Sequence, residues 1–173
     1  GQNMLRLIIC GDKKSGKSTL VNCLSGEFHD ILNDRSTTQV ENSGPKFEQN
    51  FTSNTDYRFF STSKHKFIVA DISEHEQPIH NMIAVTFATD TIMIVVDASR
   101  GIQIQARHYA WLASLMGIRH IVLAINKMDQ VGFDTRIFQA IEQDFIKLNN
   151  SLNFASITAI PLSILENINI LTQ

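Results

Sequence analysis

Gly11-Asp12-Lys13-Lys14-Ser15-Gly16-Lys17-Ser18 has the pattern G-x-x-x-x-G-K-S, which is typical of a phosphate-binding loop. An apolar run from Met4 to Cys10 precedes it and predicts a buried strand, and the residues from about Lys17 to Leu24 predict a helix. The glycines let consecutive backbone N–H groups point at phosphate oxygens, and a helix N-terminus adds partial positive charge there. The alternative, a chance Gly/Lys loop that joins a strand to a helix, is disfavoured by this strand–loop–helix context.

Two side chains of this loop have a specific expected role toward a nucleotide. Lys17 would reach the β- and γ-phosphates and is a candidate catalytic residue. The Ser18 hydroxyl would ligate Mg²⁺. The whole stretch, together with Thr19 in the turn that follows, is therefore predicted to bind the nucleotide.

Length and composition favour one globular domain over residues 1–173. The chain is 43% hydrophobic, and its net charge of −2 gives no electrostatic case for binding nucleic acid or an anionic membrane. The first apolar run is too short for a signal-peptide core or a membrane span. The two cysteines, Cys10 and Cys23, are expected to be buried thiols in a reducing cytoplasm.

Apolar runs alternate with helical patterns along the chain, which predicts an α/β fold with a three-layer, mostly parallel sheet. Gly26 to about Asn50 predicts a long loop that closes over a nucleotide. Two strands, Phe51–Ser61 and Lys66–Asp71, should pair as a hairpin and give a sheet of about six strands with one antiparallel edge strand. The further predicted elements are a helix from Pro78 to about Ala88, a strand at Thr91–Ala98, a helix at Ile102–Met116, a strand at His120–Ile125, a helix that Asp134 caps and that runs to Leu148, and a strand at Ala155–Leu162.

A second motif, Asn126-Lys127-Met128-Asp129, follows a predicted strand and has the guanine-reading pattern N-K-x-D. The Asp129 carboxylate can accept hydrogen bonds from guanine N1–H and the exocyclic amine, whereas adenine offers no such pair of donors. The Lys127 stem can lie along the ring, and Asn126 can tie this turn to the phosphate-binding loop. Four residues alone would equally fit a solvated turn. The motif lies at the carboxyl end of a parallel strand, where ligands bind in such sheets. This position favours a guanine-binding motif over a solvated turn.

Two residues near the end of the predicted strand Lys66–Asp71 are further candidates for the site. Asp71 is placed to hold Mg²⁺ through water. His75 could orient the attacking water as a neutral imidazole, which makes it the second candidate catalytic residue. The alternatives are a strand-end turn aspartate and an exposed loop histidine.

With these motifs the chain resembles translation-factor-type GTPases, and among them most closely the GTPase (large) subunit of bacterial ATP sulfurylase, a sulfate adenylyltransferase. Besides the phosphate-binding loop, the resemblance is carried by Tyr57–Thr62, Lys66–Asp71, His75-Glu76-Gln77, Asn81-Met82 and Leu115–Val131. It implies a P-loop G domain that lacks the family's last helix and β-barrel domains. It also implies that GTP and GDP are the ligands and that GTP hydrolysis drives a catalytic sulfate adenylyltransferase subunit, which makes adenylyl sulfate from ATP and sulfate.

The resemblance adds residues to the predicted site. Thr52 matches the family's loop threonine, which ligates Mg²⁺ and senses the γ-phosphate. Ser163-Ile164-Leu165 matches the family's Ser-Ala-Leu, where a backbone N–H contacts the guanine carbonyl. Ile164 still supplies that N–H.

The chain departs from the family pattern where the γ-phosphate is sensed. The family has Asp-Thr-Pro-Gly-His-Glu, and this chain has Asp71-Ile72-Ser73-Glu74-His75-Glu76. The family's glycine gives its N–H to the γ-phosphate at close backbone approach, so Glu74 adds a side chain and a negative charge near a polyanion. Two like charges about 4 Å apart cost roughly 4 kcal/mol at an effective dielectric constant of about 20.

We therefore hypothesise that the domain binds GDP at least as readily as GTP and hydrolyses GTP slowly. Two alternatives stay open at this point. One is a scaffold that holds a nucleotide without hydrolysing it and recruits a partner subunit, and the other is a translation-type factor.

Overall fold

The computed structural model describes residues 4–12, 14–17, 19–20, 55–61, 66–72 and 91–164; for 4–6, 55–61 and 66–72 it describes the backbone alone. These ranges contain six strands, two α-helices and one short 3-10 helix: β1 (Met4–Gly11), β2 (Thr55–Ser61), β3 (Lys66–Ile72), β4 (Thr91–Asp97), α1 (Ile104–Leu115), β5 (His120–Asn126), the 3-10 helix (Met128–Val131), α2 (Thr135–Asn149) and β6 (Ser156–Pro161).

The strands form one six-stranded sheet in the order β2-β3-β1-β4-β5-β6. Strands β3, β1, β4, β5 and β6 are parallel, and β2 pairs antiparallel with β3 at the edge. The predicted α/β sheet with one antiparallel edge strand is therefore confirmed. The predicted loop at 26–50, the predicted helix at 78–88 and Cys23 lie outside the described residues.

The central strands are buried on both faces because apolar side chains alternate between two clusters. In β4, Ile92, Ile94 and Val96 pack with the buried faces of α1 and α2, whereas Val95 packs with Leu20 on the opposite face. Parallel strands covered on both faces are expected to be continuous apolar runs, which is what the sequence has at this strand. Cys10 in β1 is fully buried, as expected, and burial raises the pKa of its thiol.

The helix ends follow their sequence signals. Asp134 accepts a hydrogen bond from the backbone N–H of Arg136 at 2.8 Å and caps α2, as predicted. Helix α1 ends at Leu115, and Gly117, with φ +80°, turns the chain away from it so that Ile118 N–H reaches the Ala113 carbonyl at 3.0 Å. Within the described parts of the chain, no helix is long and apolar enough to span a bilayer.

Because the strands are parallel, the carboxyl ends of β1, β4 and β5 lie side by side along one end of the sheet. Asp97 at the end of β4 lies in register with Asn126 at the end of β5. Gly11 at the end of β1 pairs with Val95, two residues before Asp97. The phosphate-binding loop and the N-K-x-D turn therefore leave the sheet at the same edge, where ligands bind in such folds.

Candidate nucleotide-binding site

The phosphate-binding loop joins β1 to a helical turn, as the sequence predicts. Ser15 N–H donates to the Asp12 carbonyl at 3.1 Å and closes a turn. Lys17, Thr19 and Leu20 are helical, and Leu20 N–H donates to the Gly16 carbonyl at 2.9 Å. A helix that begins at this point directs its first N–H groups, which have no partner within the helix, toward the edge of the sheet.

Both glycines of the motif are required by close contacts. A Cβ at Gly11 would lie 2.5 Å from the Val95 carbonyl oxygen, so β1 and β4 leave no room for one. Gly16 has φ +90°, and a Cβ there would overlap the side-chain nitrogen of Asn126. The loop therefore fits against its neighbours only because glycine occupies these positions.

Asn126 connects three segments of the site. Its side-chain Nδ2 donates to the Ser15 carbonyl at 3.0 Å, across 111 residues of sequence. Its Oδ1 accepts a long hydrogen bond, 3.4 Å, from Ile164 N–H in the segment after β6. Asn126 is 2% exposed. The contact that we expected between the N-K-x-D turn and the phosphate-binding loop is thus present. The Ile164 N–H, which the family resemblance assigns to the guanine carbonyl, donates to Asn126 in this structure, so its contact with the base stays a prediction.

Lys127 makes a second connection between the same two loops. It adopts the left-handed conformation with φ 61°, and its Nζ donates to the Lys14 carbonyl at 2.7 Å. The same Nζ lies 3.2 Å from Oδ2 of Asp97 in an ion pair. The ammonium is therefore held between the end of β4 and the phosphate-binding loop, which stretches the Lys127 stem between them.

The Asp129 carboxylate, which we expect to read the base, is oriented by a buried hydroxyl. Asp129 lies in the 3-10 helix Met128–Val131, and its Oδ1 accepts a hydrogen bond from Ser163 Oγ at 2.8 Å. Ser163 is completely buried. A carboxylate has about four lone-pair sites, so Asp129 keeps acceptor capacity for two ligand donors. The chain thus brings together the residues expected to read the base.

Asp12 has a structural partner that sequence reasoning did not identify. Its Oδ1 accepts a hydrogen bond from Ala106 N–H at 2.8 Å, and its Oδ2 accepts one from Gln103 N–H at 3.4 Å. Gln103 is the N-cap residue of α1 and provides no side-chain cap of its own. Asp12 therefore supplies the cap from 94 residues away, where its negative charge also complements the positive end of the helix.

This contact explains why α1 begins at Ile104 and not at the predicted Ile102. The Asp12 carboxylate takes the first free N–H groups, so Ile102 stays in the loop and is buried there. Asp12 was predicted to bind the nucleotide. Any such contact would be made by its backbone N–H, because the carboxylate is directed at the start of α1 and its negative charge would repel a phosphate.

Two further side chains of the loop are buried in the site. Lys17 is 5% exposed, and Ser15 is 1% exposed. The Ser15 hydroxyl has no hydrogen-bond partner among the residues that the structure describes. Buried hydroxyls without a partner are rare in folded proteins, so this one fits a loop whose remaining partners come from a ligand. Together with the helix that begins at Lys17, this hydroxyl makes the loop suited to a bound phosphate group.

Several predicted site residues lie outside the described residues: Lys13, Ser18, Thr52, His75 and Leu165, as well as Glu74. The backbone of Asp71 is described, and it lies in β3 in register with Ile9 of β1, near the start of the phosphate-binding loop. No group of three or more acidic, histidine or cysteine side chains that could hold a metal occurs within the described ranges. The Mg²⁺ ligands therefore stay predictions.

Asp97 is a second site residue that sequence reasoning missed. Its Oδ1 accepts hydrogen bonds from Ser99 N–H at 2.8 Å and Ser99 Oγ at 2.6 Å. Burial acts to raise the pKa of Asp97, but the hydrogen bonds from Ser99 and the ion pair with Lys127 outweigh it and hold the pKa below its usual value. The available signal was its position at the end of a buried parallel strand next to β5.

Comparisons with known proteins agree with this geometry. The chain is 35% identical over 191 aligned positions to sulfate adenylyltransferase subunit 1 of Francisella tularensis subsp. novicida, covering 99% of this chain and 41% of that protein. It is 37% identical to the subunit 1 of Teredinibacter turnerae, covering 98% of this chain and 40% of that protein. The chain therefore spans less than half the length of these relatives. The first alignment is longer than this chain of 173 residues, so the relative has residues that this chain lacks.

Solved structures with the same fold are translation elongation factors. The SelB of Methanococcus maripaludis in complex with the GTP analogue GppNHp superposes with a TM-score of 0.72 at 20% identity, covering 97% of this chain and 31% of that one. A bacterial selenocysteine-specific elongation factor superposes with a TM-score of 0.69 at 19% identity, covering 97% of this chain and 27% of that one. The family model of the elongation factor Tu GTP-binding domain matches residues 2–172, and the chain therefore belongs to that family of GTP-binding domains.

Proposed function

We propose that this domain binds GDP and GTP together with Mg²⁺ and hydrolyses GTP slowly. The observation that carries the proposal is the Asn126–Ser15 hydrogen bond of 3.0 Å, because it holds the purine-reading turn at a fixed distance from the phosphate-binding loop. A purine nucleotide can engage both loops at once, with its phosphates in one and its base against the other. Asp129 selects guanine among the purines through its two acceptor positions.

Each predicted site residue has a defined part in this proposal. The backbone N–H groups between Gly11 and Thr19 would surround the diphosphate, and Lys17 would neutralise the β- and γ-phosphates. Asp129 would accept from the guanine N1–H and amine, and Ser163 would keep its carboxylate oriented. Ser18, Thr52 and Asp71 would hold Mg²⁺, which neutralises developing charge on the phosphates during transfer.

A thermal-shift series with nucleotide-free protein tests the binding proposal. We expect GDP and GTP with Mg²⁺ at 1,000 times their Kd to stabilise the fold by about 4 kcal/mol, because only the folded state binds them. For a domain of this size that corresponds to a melting temperature raised by roughly 10 °C. ADP and ATP at the same concentrations should shift it far less. Unchanged melting at millimolar GDP would contradict the proposal.

Slow hydrolysis is proposed from Glu74, which stands where the resemblance places a glycine that contacts the γ-phosphate. We expect Glu74→Gly to raise single-turnover GTP hydrolysis at least tenfold and to leave GDP affinity unchanged, because it removes both a side chain and a charge. The matched control is Glu74→Gln, which removes the charge alone. Recovery with glycine but not glutamine would assign the defect to close backbone approach.

The kinetics of the parent protein separate this proposal from a scaffold. If the parent shows no turnover and only Glu74→Gly hydrolyses GTP, the natural domain is a nucleotide-bound scaffold, an alternative that the Glu74 substitution itself favours. If Glu74→Gly hydrolyses GTP no faster than the parent, Glu74 does not limit the reaction. His75 would orient the attacking water in the hydrolysing form.

We further propose that the domain acts in the cytoplasm with the catalytic subunit of a sulfate adenylyltransferase, whose activity it drives or regulates. The support is the similarity to sulfate adenylyltransferase subunit 1, which extends over nearly the whole of this chain. Co-purification with that catalytic subunit is the expected result. Co-purification with ribosomes would instead favour a translation-type factor.

A further inference from the structure

The carboxylate of Asp97 is fixed in one orientation before it meets Lys127. Ser99 donates two hydrogen bonds to Oδ1, at 2.8 Å from its N–H and at 2.6 Å from its hydroxyl. Oδ2 is left directed at the Lys127 ammonium, 3.2 Å away. The Asp97 side chain is 8% exposed and that of Lys127 is 26% exposed, so the pair is partly shielded from water.

The ammonium of Lys127 is held by two partners within the protein. One side meets Oδ2 of Asp97, and the other donates to the Lys14 carbonyl at 2.7 Å. The Lys127 backbone is also held in the left-handed conformation, with φ 61°. A lysine side chain ordinarily has many rotamers, and holding it in one of them costs conformational entropy. In this protein the ion pair offsets part of that cost before any ligand binds.

From this geometry we propose that Asp97 is a positioning residue for the purine site and acts through Lys127. The inference rests on the proposed function, since it assigns Lys127 as the surface along which the base lies. By holding the ammonium against the phosphate-binding loop, Asp97 keeps the Lys127 stem extended between the two loops. A free lysine would sample other rotamers, and each nucleotide that binds would have to order it.

A double-mutant cycle on GDP release tests this role. The variants are Asp97→Asn, Lys127→Met and the pair together, and the measurement is the dissociation rate of a fluorescent GDP analogue. Asp97→Asn keeps an oxygen for Ser99 but places an amide against the ammonium. We expect GDP to leave about tenfold faster from Asp97→Asn, because the pre-ordered lysine is lost. The double variant should be no faster than Lys127→Met alone, because Asp97 has no other route to the base.

The controls separate positioning from a general loss of stability. Asp134→Asn makes the same substitution at another ion-paired aspartate; it removes the charge that faces Arg136 but keeps the cap of α2, because asparagine caps helices as well as aspartate, and it should leave GDP release unchanged. If Asp97→Asn does not fold, Ser99→Ala is the second variant, because it removes one of the two hydrogen bonds to Oδ1 of Asp97. We expect it to speed GDP release about threefold, because the orientation of Oδ2 toward Lys127 is then less restricted. Equal GDP release from the parent and Asp97→Asn, or additive effects in the double variant, would overturn the inference. Failure of the parent itself to bind GDP would overturn the proposed function.

Discussion

Asp129→Asn is expected to weaken GDP binding at least a hundredfold. The substitution replaces one carboxylate oxygen by an NH₂ group, which faces the guanine donors with another donor. Hydrogen bonds to a charged group contribute about 1.5–3 kcal/mol each, so losing one and opposing the other costs about 3 kcal/mol or more. Titration calorimetry with GDP and Mg²⁺ measures the change.

The same variant should gain affinity for xanthosine diphosphate, whose base carries a carbonyl oxygen where guanine has its amine. This gain is the internal control, because a merely unfolded variant would bind neither nucleotide. Ser163→Ala removes the hydroxyl that orients Asp129 and should weaken GDP binding by a smaller factor, about tenfold. If Asp129→Asn retained parental GDP affinity, Asp129 would not be the residue that reads the base.

Gly16→Ala is expected to abolish measurable GDP binding and to destabilise the fold. The new methyl group would overlap the Asn126 side-chain nitrogen, and φ +90° is unfavourable for alanine. The backbone conformation costs about 1–2 kcal/mol. Displacing Asn126 leaves buried polar groups unpaired, which costs about 1–3 kcal/mol more. Thermal unfolding and GDP titration report the two effects separately.

Gly117→Ala is the matched control for this substitution. Gly117 has a similar backbone angle, φ +80°, but a Cβ there would meet no atom within 4 Å. It should therefore lose about 1–2 kcal/mol of stability from the backbone alone and keep its GDP affinity. Equal GDP affinities for Gly16→Ala and the parent protein would show that the overlap with Asn126 is relieved without cost.

The sequence predicts the sheet well because each central strand is a self-contained apolar run. The bounds predicted from the apolar runs at Thr91–Ala98 and His120–Ile125 agree with β4 and β5 to within one residue. A strand that is buried on both faces is apolar at nearly every position, so the run itself marks the strand. The two loops of the site were also identified from their motifs. Their mutual contact through Asn126 follows from parallel strands whose ends meet at one edge.

The contacts of Asp12 and Asp97 could not be predicted in the same way. Both residues are short acidic side chains at strand ends, where a solvated turn is an equally good interpretation of the sequence. Their partners are Ala106 and Lys127, which are distant in sequence and adjacent only once the sheet has formed. Tertiary geometry therefore decides their roles. The 3-10 helix at Met128–Val131 was likewise missed, because four residues are too few to show a period.

The hydrogen bonds of Asp12 connect the phosphate-binding loop to the start of α1. Asp12 is the second residue of the phosphate-binding loop, and a shift of the first turn of α1 would pull directly on its carboxylate. Ile104 and Trp111 lie exposed on the outer surface of that helix. A partner that binds there and displaces the first turn of α1 would also displace the phosphate-binding loop, because the hydrogen bonds of Asp12 connect the two.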